Sequence, residues 1–221
     1  MDKLVLKDLL VLKKSMYWAL VYLLAILFIF SMNPPFDKFL YIMAAYGAAY
    51  ILIMGALMAE YENQTNMLLN SLPVNRYEII LSKYLSALVL ALLTLCVAGT
   101  LGIVINLLPL PLAIRFMNGV DVGIVLIMVA VTLAIVMPMN LKFGNQAARI
   151  TTVMFFMLLF FAPVWVKGYI MDNSQTEWAQ ALINIAVSQP VVLLAAGAGG
   201  GILLLGLSMF VSLRIYEAID F

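Results

Sequence analysis

Six stretches of apolar residues divide this chain, and each has the roughly 20 residues that an α-helix needs to cross a lipid bilayer. None of the six contains Asp, Glu, Lys, Arg or His in its interior. A helix satisfies its own backbone hydrogen bonds, so it is stable where no water is present. We therefore predict an all-α membrane protein, a single transmembrane domain over residues 1–221. The predicted spans are residues 16–32, 39–59, 84–107, 121–140, 150–167 and 190–213.

Charged residues are scarce, and their balance excludes several classes of function. They make up 10% of the chain with a net charge of +1, whereas soluble domains average about 25%. No basic patch is present to displace counterions from a nucleic acid, so we expect no nucleic-acid partner. The chain contains no histidine, which excludes Ser-His and Cys-His catalytic pairs and His-based metal sites. We therefore expect neither an enzyme active site nor a metal site.

Basic residues predict the orientation, because they collect on the cytoplasmic side of a membrane. With both termini on one side, that side holds nine Lys and Arg residues and the other side holds three. The three are Lys38, Arg115 and Lys167. We therefore predict a multi-pass protein of the cytoplasmic membrane with both termini in the cytoplasm.

One short helix is predicted at each surface of the membrane, outside the spans and their longer cytoplasmic loops. Residues 1–15 place lysines on one face and leucines over much of the rest, which fits a helix lying on the inner leaflet. An ordinary basic anchor for the first span fits the same residues. On the outer side, Trp178, Leu182 and Ile185 fall on one face of a short extracellular helix. That helix either gates a translocation path or covers the fifth and sixth spans.

A glycine-rich run, "GAGGG" at residues 197–201, lies inside the sixth span. No Lys-Ser or Lys-Thr pair follows it, so it does not match a phosphate-binding loop. Gly197 and Gly201 have the four-residue spacing that lets transmembrane helices approach closely. We predict that these glycines serve helix packing.

The polar stretch "ENQTNMLLNSLPVNRYEIILSKYL", residues 62–85, interrupts the apolar pattern on the predicted cytoplasmic side. Pro73 ends a short amphipathic helix, because the residue before a proline avoids the α conformation. Asn75 and Glu78 have the spacing of a capping box, which begins a second helix that runs into the third span. The pattern fits a segment that transmits force or position, and it also fits a capped hairpin at the membrane surface.

Two stretches resemble the cytoplasmic loops of bacterial ABC-2 type permeases. "LLNSLPVNRYEIILSKYL" is similar to that family's loop between its second and third helices. "MPMNLKFGNQAARI" is similar to the loop between its fourth and fifth helices, although Gln146 and Ala147 stand where a charged pair is expected. The six spans and the short cytoplasmic tail also agree, so the resemblance covers nearly the whole chain.

The resemblance implies the permease subunit of an ATP-driven exporter in a bacterial inner or plasma membrane. ATP and Mg²⁺ would bind to a separate ABC ATPase subunit present in two copies, and this chain would hold no cofactor. Two permease chains, as a homodimer or a heterodimer, would enclose the path. A coupling helix in the first loop would dock on the ATPase, and the second loop would add a smaller contact. The coupling residues implied are Glu62, Asn66, Leu69, Leu72, Pro73, Arg76, Lys142, Phe143, Gly144 and Arg149.

The expected inner surface offers apolar side chains with scattered amides such as Asn106 and Asn140, and it carries no fixed charge. This composition favours an amphipathic or hydrophobic cargo, such as an antimicrobial or cytolytic peptide or a lipid-like compound. The alternative is an ATPase-independent channel, a secondary transporter or a structural membrane subunit. Proton-coupled transporters usually place carboxylates or histidines within their spans, and the predicted spans contain none.

Overall fold

In the computed structural model, the structure describes residues 12–32, 38–62, 76–108 and 114–218, and these ranges contain helices and no strand. The helices are α1 (Lys13–Ser31), α2 (Leu40–Glu62), α3 (Arg76–Leu107), α4 (Gly119–Asp172), α5 (Glu177–Ser188) and α6 (Pro190–Glu217). Residues 1–11, which include most of the predicted interfacial helix, lie outside the described ranges.

Four helical segments are long and apolar enough to cross a membrane: Leu40–Ala59, Tyr77–Leu107, Gly119–Gly144 and Val191–Tyr216. These segments confirm an all-α membrane protein and coincide with four of the predicted spans. The first predicted span corresponds to the shorter apolar helix Ser15–Ser31. The fifth falls in the second part of α4. The total of six spans stays a prediction.

Helix α3 is one unbroken helix of 32 residues that begins at Arg76. At 1.5 Å per residue it is about 48 Å long, which exceeds the roughly 30 Å hydrocarbon core. The predicted continuous helix from the first loop into the third span is therefore confirmed. Its apolar segment begins at Tyr77, seven residues before the predicted span of 84–107, and it includes Lys83, which is buried.

Helix α2 lies at the centre of the bundle. Its residues from Leu40 to Ala49 are almost all buried, and α1, α3 and α4 pack around it. The alanines at 44, 45, 48 and 49 let these neighbours approach closely. At Gly47 a side chain would collide with the Tyr22 hydroxyl of α1. The core of the described residues is therefore built around small side chains of α2.

Helix α6 packs on the N-terminal part of α4 through Gly197 and Gly201, the glycines predicted to serve helix packing. A Cβ atom added at Gly197 would lie 2.8 Å from Cδ1 of Ile127, and one added at Gly201 would lie 3.4 Å from Cβ of Ala130. The packing prediction is therefore confirmed. The remaining surface of α6 is largely exposed and carries large apolar side chains, as expected for contact with lipid or with another membrane chain. Examples are Val191, Ile202, Leu203, Leu207 and Phe210.

The connection between α3 and α4 is held by an ion pair. The terminal nitrogens Nη1 and Nη2 of Arg115 donate to the two carboxylate oxygens of Asp121 at 2.8 and 2.7 Å. Nη2 also donates to the Lys38 carbonyl at 2.8 Å. Asp121 also accepts from the backbone N–H of Asn118 at 2.9 Å, as a helix cap does. Asp121 therefore caps the start of α4 together with Asn118. The Arg115 contacts tie the start of α2 to the start of α4.

Candidate functional site

The first predicted coupling segment is described only at its two ends. Glu62 is the last residue of α2, and Arg76 is the first residue of α3. Asn66, Leu69, Leu72 and Pro73 lie outside the described residues. Their role in coupling therefore stays a prediction.

The second predicted loop, residues 141–149, is helical except at one residue. Gly144 has φ 74° and ψ −177°, which interrupts α4 between two helical parts, residues 119–143 and 145–172. This conformation is open to glycine and strongly disfavoured for residues that carry a Cβ atom. An added Cβ would meet nothing within 4 Å. The backbone conformation therefore requires a glycine at position 144, whereas the surroundings would leave room for a larger side chain.

The two parts of α4 fold back on each other at Gly144. Thr132 and Phe156 stand twelve residues before and after this glycine. In one straight helix they would be about 36 Å apart. Both instead contact Tyr46: its hydroxyl lies 2.9 Å from the Thr132 hydroxyl, and its ring stacks on Phe156 at 5.5 Å between centroids. The turn thus returns the chain along α2.

A cation and an aromatic ring stand next to this turn. The Nζ atom of Lys142 lies 5.3 Å from the centre of the Phe143 ring, and 55% of Phe143 is exposed. Leu141, one residue earlier, packs against the core. Arg149 is in the helix after the turn, and its side chain lies outside the described part of the chain. Lys142 and Phe143 therefore form a small accessible surface that the turn holds in place.

The predicted outer site falls on α5, which follows α4 after a tight turn. The Thr176 hydroxyl donates to the Asn173 carbonyl at 2.7 Å just before α5 begins. The Trp178 ring stacks on Tyr169, near the end of α4, with centroids 6.0 Å apart and planes inclined by 26°. Leu182 and Ile185 are in α5, and their side chains are not among those described. Trp178 thus joins α5 to α4.

The family model described as "ABC-2 family transporter protein" matches residues 3–217. The chain belongs to this family. No curated protein and no solved structure matches it. Proteins of this family are typically non-catalytic membrane subunits, and membership implies association with an ABC ATPase.

In this ABC-2 protein the structure also shows buried polar residues that the sequence analysis did not assign to a site. Lys83 is 7% exposed and lines a cavity among α2, α3 and α4. Tyr84, the next residue, is buried and bonds to two serines of α6. A signal for the serines was available: Ser208 and Ser212 stand four apart within an apolar span, so they share one helix face.

Proposed function

We propose that this chain is the transmembrane permease subunit of an ATP-driven exporter, coupled to a separate ABC ATPase through its cytoplasmic connections. The observation that carries the proposal is the family match over residues 3–217. ATP and Mg²⁺ bind to the ATPase, and this chain supplies the path and the contacts that move it. It belongs in the cytoplasmic membrane of a bacterium.

The route of coupling starts at the first connection. Glu62, Asn66, Leu69, Leu72 and Pro73 form the docking segment, and Arg76 begins the helix behind it. Because α3 runs without interruption from Arg76 to Leu107, a displacement of its first turn is carried into the membrane. Lys142, Phe143, Gly144 and Arg149 form the second, smaller contact.

The assembly proposed contains two ATPase copies and two permease chains, as a homodimer or a heterodimer. The exposed apolar surfaces of α6 and of the second part of α4 support contact with a second chain as well as with lipid. The cargo proposed is amphipathic or hydrophobic, such as a cytolytic or antimicrobial peptide or a lipid-like compound. The bonded Arg115–Asp121 pair lies at the predicted outer ends of the helices, away from the proposed path.

Isolation from the native membrane tests the proposal. An affinity-tagged permease, extracted in mild detergent, should bring with it a chain that hydrolyses ATP and carries an ABC ATPase sequence. Permease that is intact and monodisperse, yet carries no such chain even after cross-linking in the membrane, would favour the channel or structural alternative.

The orientation is tested by cysteine labelling in a variant whose native cysteine is replaced, Cys96→Ser. In intact cells a membrane-impermeant thiol reagent should label Ser174→Cys, before α5, and should spare Ser71→Cys and Asn145→Cys. All three should react after the membrane is permeabilised, which controls for accessibility. The reverse pattern in intact cells would place the termini outside.

The extracellular gate of Trp178, Leu182 and Ile185 is tested at Trp178, because its ring joins α5 to Tyr169 of α4. Trp178→Ala should change the ATPase activity of the reconstituted complex several-fold while assembly remains normal. Trp165→Ala is the matched control, since Trp165 lies on α4 with 78% of its surface exposed. Equal activities in the two variants would leave α5 with only the covering role.

A further inference from the structure

A proline leaves one backbone carbonyl of α4 without its helical partner. In an α-helix the N–H of each residue donates to the carbonyl four residues earlier. Pro138 has no N–H, so the Ala134 carbonyl receives no bond from it. The Ser208 hydroxyl of α6 donates to the Ala134 carbonyl at 2.8 Å. A side chain of one helix thus occupies the gap that a proline makes in another.

The same serine connects α4 to α3. The Tyr84 hydroxyl lies 2.7 Å from the Ser208 hydroxyl and 3.0 Å from the Ser212 hydroxyl. Tyr84, Ser208 and Ser212 are 5%, 6% and 0% exposed. Each hydroxyl has a single hydrogen to donate. Because Ser208 gives its hydrogen to Ala134, Tyr84 donates to Ser208, and Ser212 donates to Tyr84. The bonds therefore run in one direction from α6 through α3 and back through α6 to α4.

The position of this Tyr84 network (Tyr84, Ser208, Ser212 and the Ala134 carbonyl) relates it to both cytoplasmic connections. Tyr84 is eight residues into α3, which is about 12 Å along the helix from Arg76. Pro138 precedes the Gly144 turn by six residues, which is about 9 Å along α4. The network therefore connects α3, α4 and α6 about 9–12 Å along the helices from the places where the two coupling contacts are proposed.

We propose that the Tyr84 network makes the Gly144 turn of α4 follow α3 when the ATPase moves the first connection. This inference rests on the proposed function and names positioning residues for it. In surroundings without water, breaking one of these bonds leaves a buried hydroxyl or carbonyl without a partner. The three helices therefore move together at this level. The two ATPase contacts are linked inside the membrane as well as through the ATPase.

Two fluorescent reporters on the permease–ATPase complex in lipid nanodiscs test the link, in a Cys96→Ser background. One reporter is attached at Tyr77→Cys in the first turn of α3, and the other at Ile150→Cys, six residues after the Gly144 turn of α4; both positions are exposed, and neither belongs to the proposed coupling residues. ATP with vanadate should shift both reporters in the otherwise unchanged protein. With Tyr84→Phe, the Tyr77 reporter should keep its shift and the Ile150 reporter should lose more than half of its own.

Tyr46→Phe is the matched control. Its hydroxyl lies 2.9 Å from the Thr132 hydroxyl of α4, and the Thr132 hydroxyl donates to the Met128 carbonyl. Tyr46 therefore also joins α4 through one buried hydrogen bond, outside the network. This variant should leave both shifts unchanged, which separates a specific link from a general loosening of α4.

Pro138→Ala provides a second variant that does not depend on loss of packing. It returns an N–H to α4 that donates to the Ala134 carbonyl within the helix, so this carbonyl no longer depends on Ser208 for a partner and the bond to Ser208 is weakened. The Ile150 reporter should again lose more than half of its shift while the Tyr77 reporter responds. If both reporters keep their full shifts in Tyr84→Phe and in Pro138→Ala, the proposed link is wrong, while the proposed function is unaffected. If neither reporter moves in the otherwise unchanged complex, the proposed coupling is wrong and the link fails with it.

Discussion

Leu69→Asp combined with Leu72→Asp is expected to leave a membrane-inserted permease that no longer retains its ATPase. The two leucines are the apolar anchors of the proposed docking segment, and anchors near the centre of an interface contribute about 2 kcal/mol or more each. A combined loss of about 4 kcal/mol weakens binding by about three orders of magnitude. The measurement is the amount of ATPase that co-purifies with equal amounts of tagged permease.

The matched control places the same two charges elsewhere on the segment. Asn63→Asp with Asn70→Asp adds an equal negative charge at two positions seven residues apart, which the predicted amphipathic helix would place away from the leucine anchors. This variant should retain the ATPase. If the leucine variant retains it equally well, the segment is a solvated hairpin at the membrane surface, and coupling must run through another part of the chain.

Gly144→Ala is expected to destabilise the protein by about 1–3 kcal/mol, the cost of holding a residue with a Cβ atom in a backbone conformation reserved for glycine. Among the described glycines, Gly144 has a positive φ, at 74°. The strain arises although the added methyl group meets no atom within 4 Å. The measurement is the midpoint of thermal unfolding in detergent, together with the yield of monodisperse protein. Gly144→Val should lower both further.

A second glycine of the same helix gives a control with the opposite sign. Gly168 lies in the second part of α4, and an added Cβ would likewise meet nothing within 4 Å. Its backbone is helical, so Gly168→Ala should leave stability unchanged or raise it by up to about 1 kcal/mol. If the two substitutions shift the midpoint equally, the turn at Gly144 does not depend on glycine.

The sequence by itself determined that most of this protein is surrounded by lipid, and the lipid surroundings determined the all-α fold class. A run such as residues 84–107 is apolar on every side, and only a helix satisfies its own backbone in lipid. Local signals also predicted structure correctly where one helix or one connection decides the outcome. The long helix that begins at Arg76 is an example. The pattern "MPMNLKFGNQAARI" marked the second connection, although not its form.

The tertiary structure alone decided how the helices meet. A span that is apolar all round carries no stripe that marks its inward face, so the sequence did not place α2 at the centre or Lys83 in a cavity. It marked 141–149 as a loop, because polar residues cluster there, whereas one glycine with a positive φ makes the whole turn. The sequence also gave no sign that Pro138, Tyr84 and Ser208 belong to one hydrogen-bond network. Hydrogen bonds between residues 74 and 124 positions apart depend on which helix faces are packed together, and residue periodicity within one helix does not specify that.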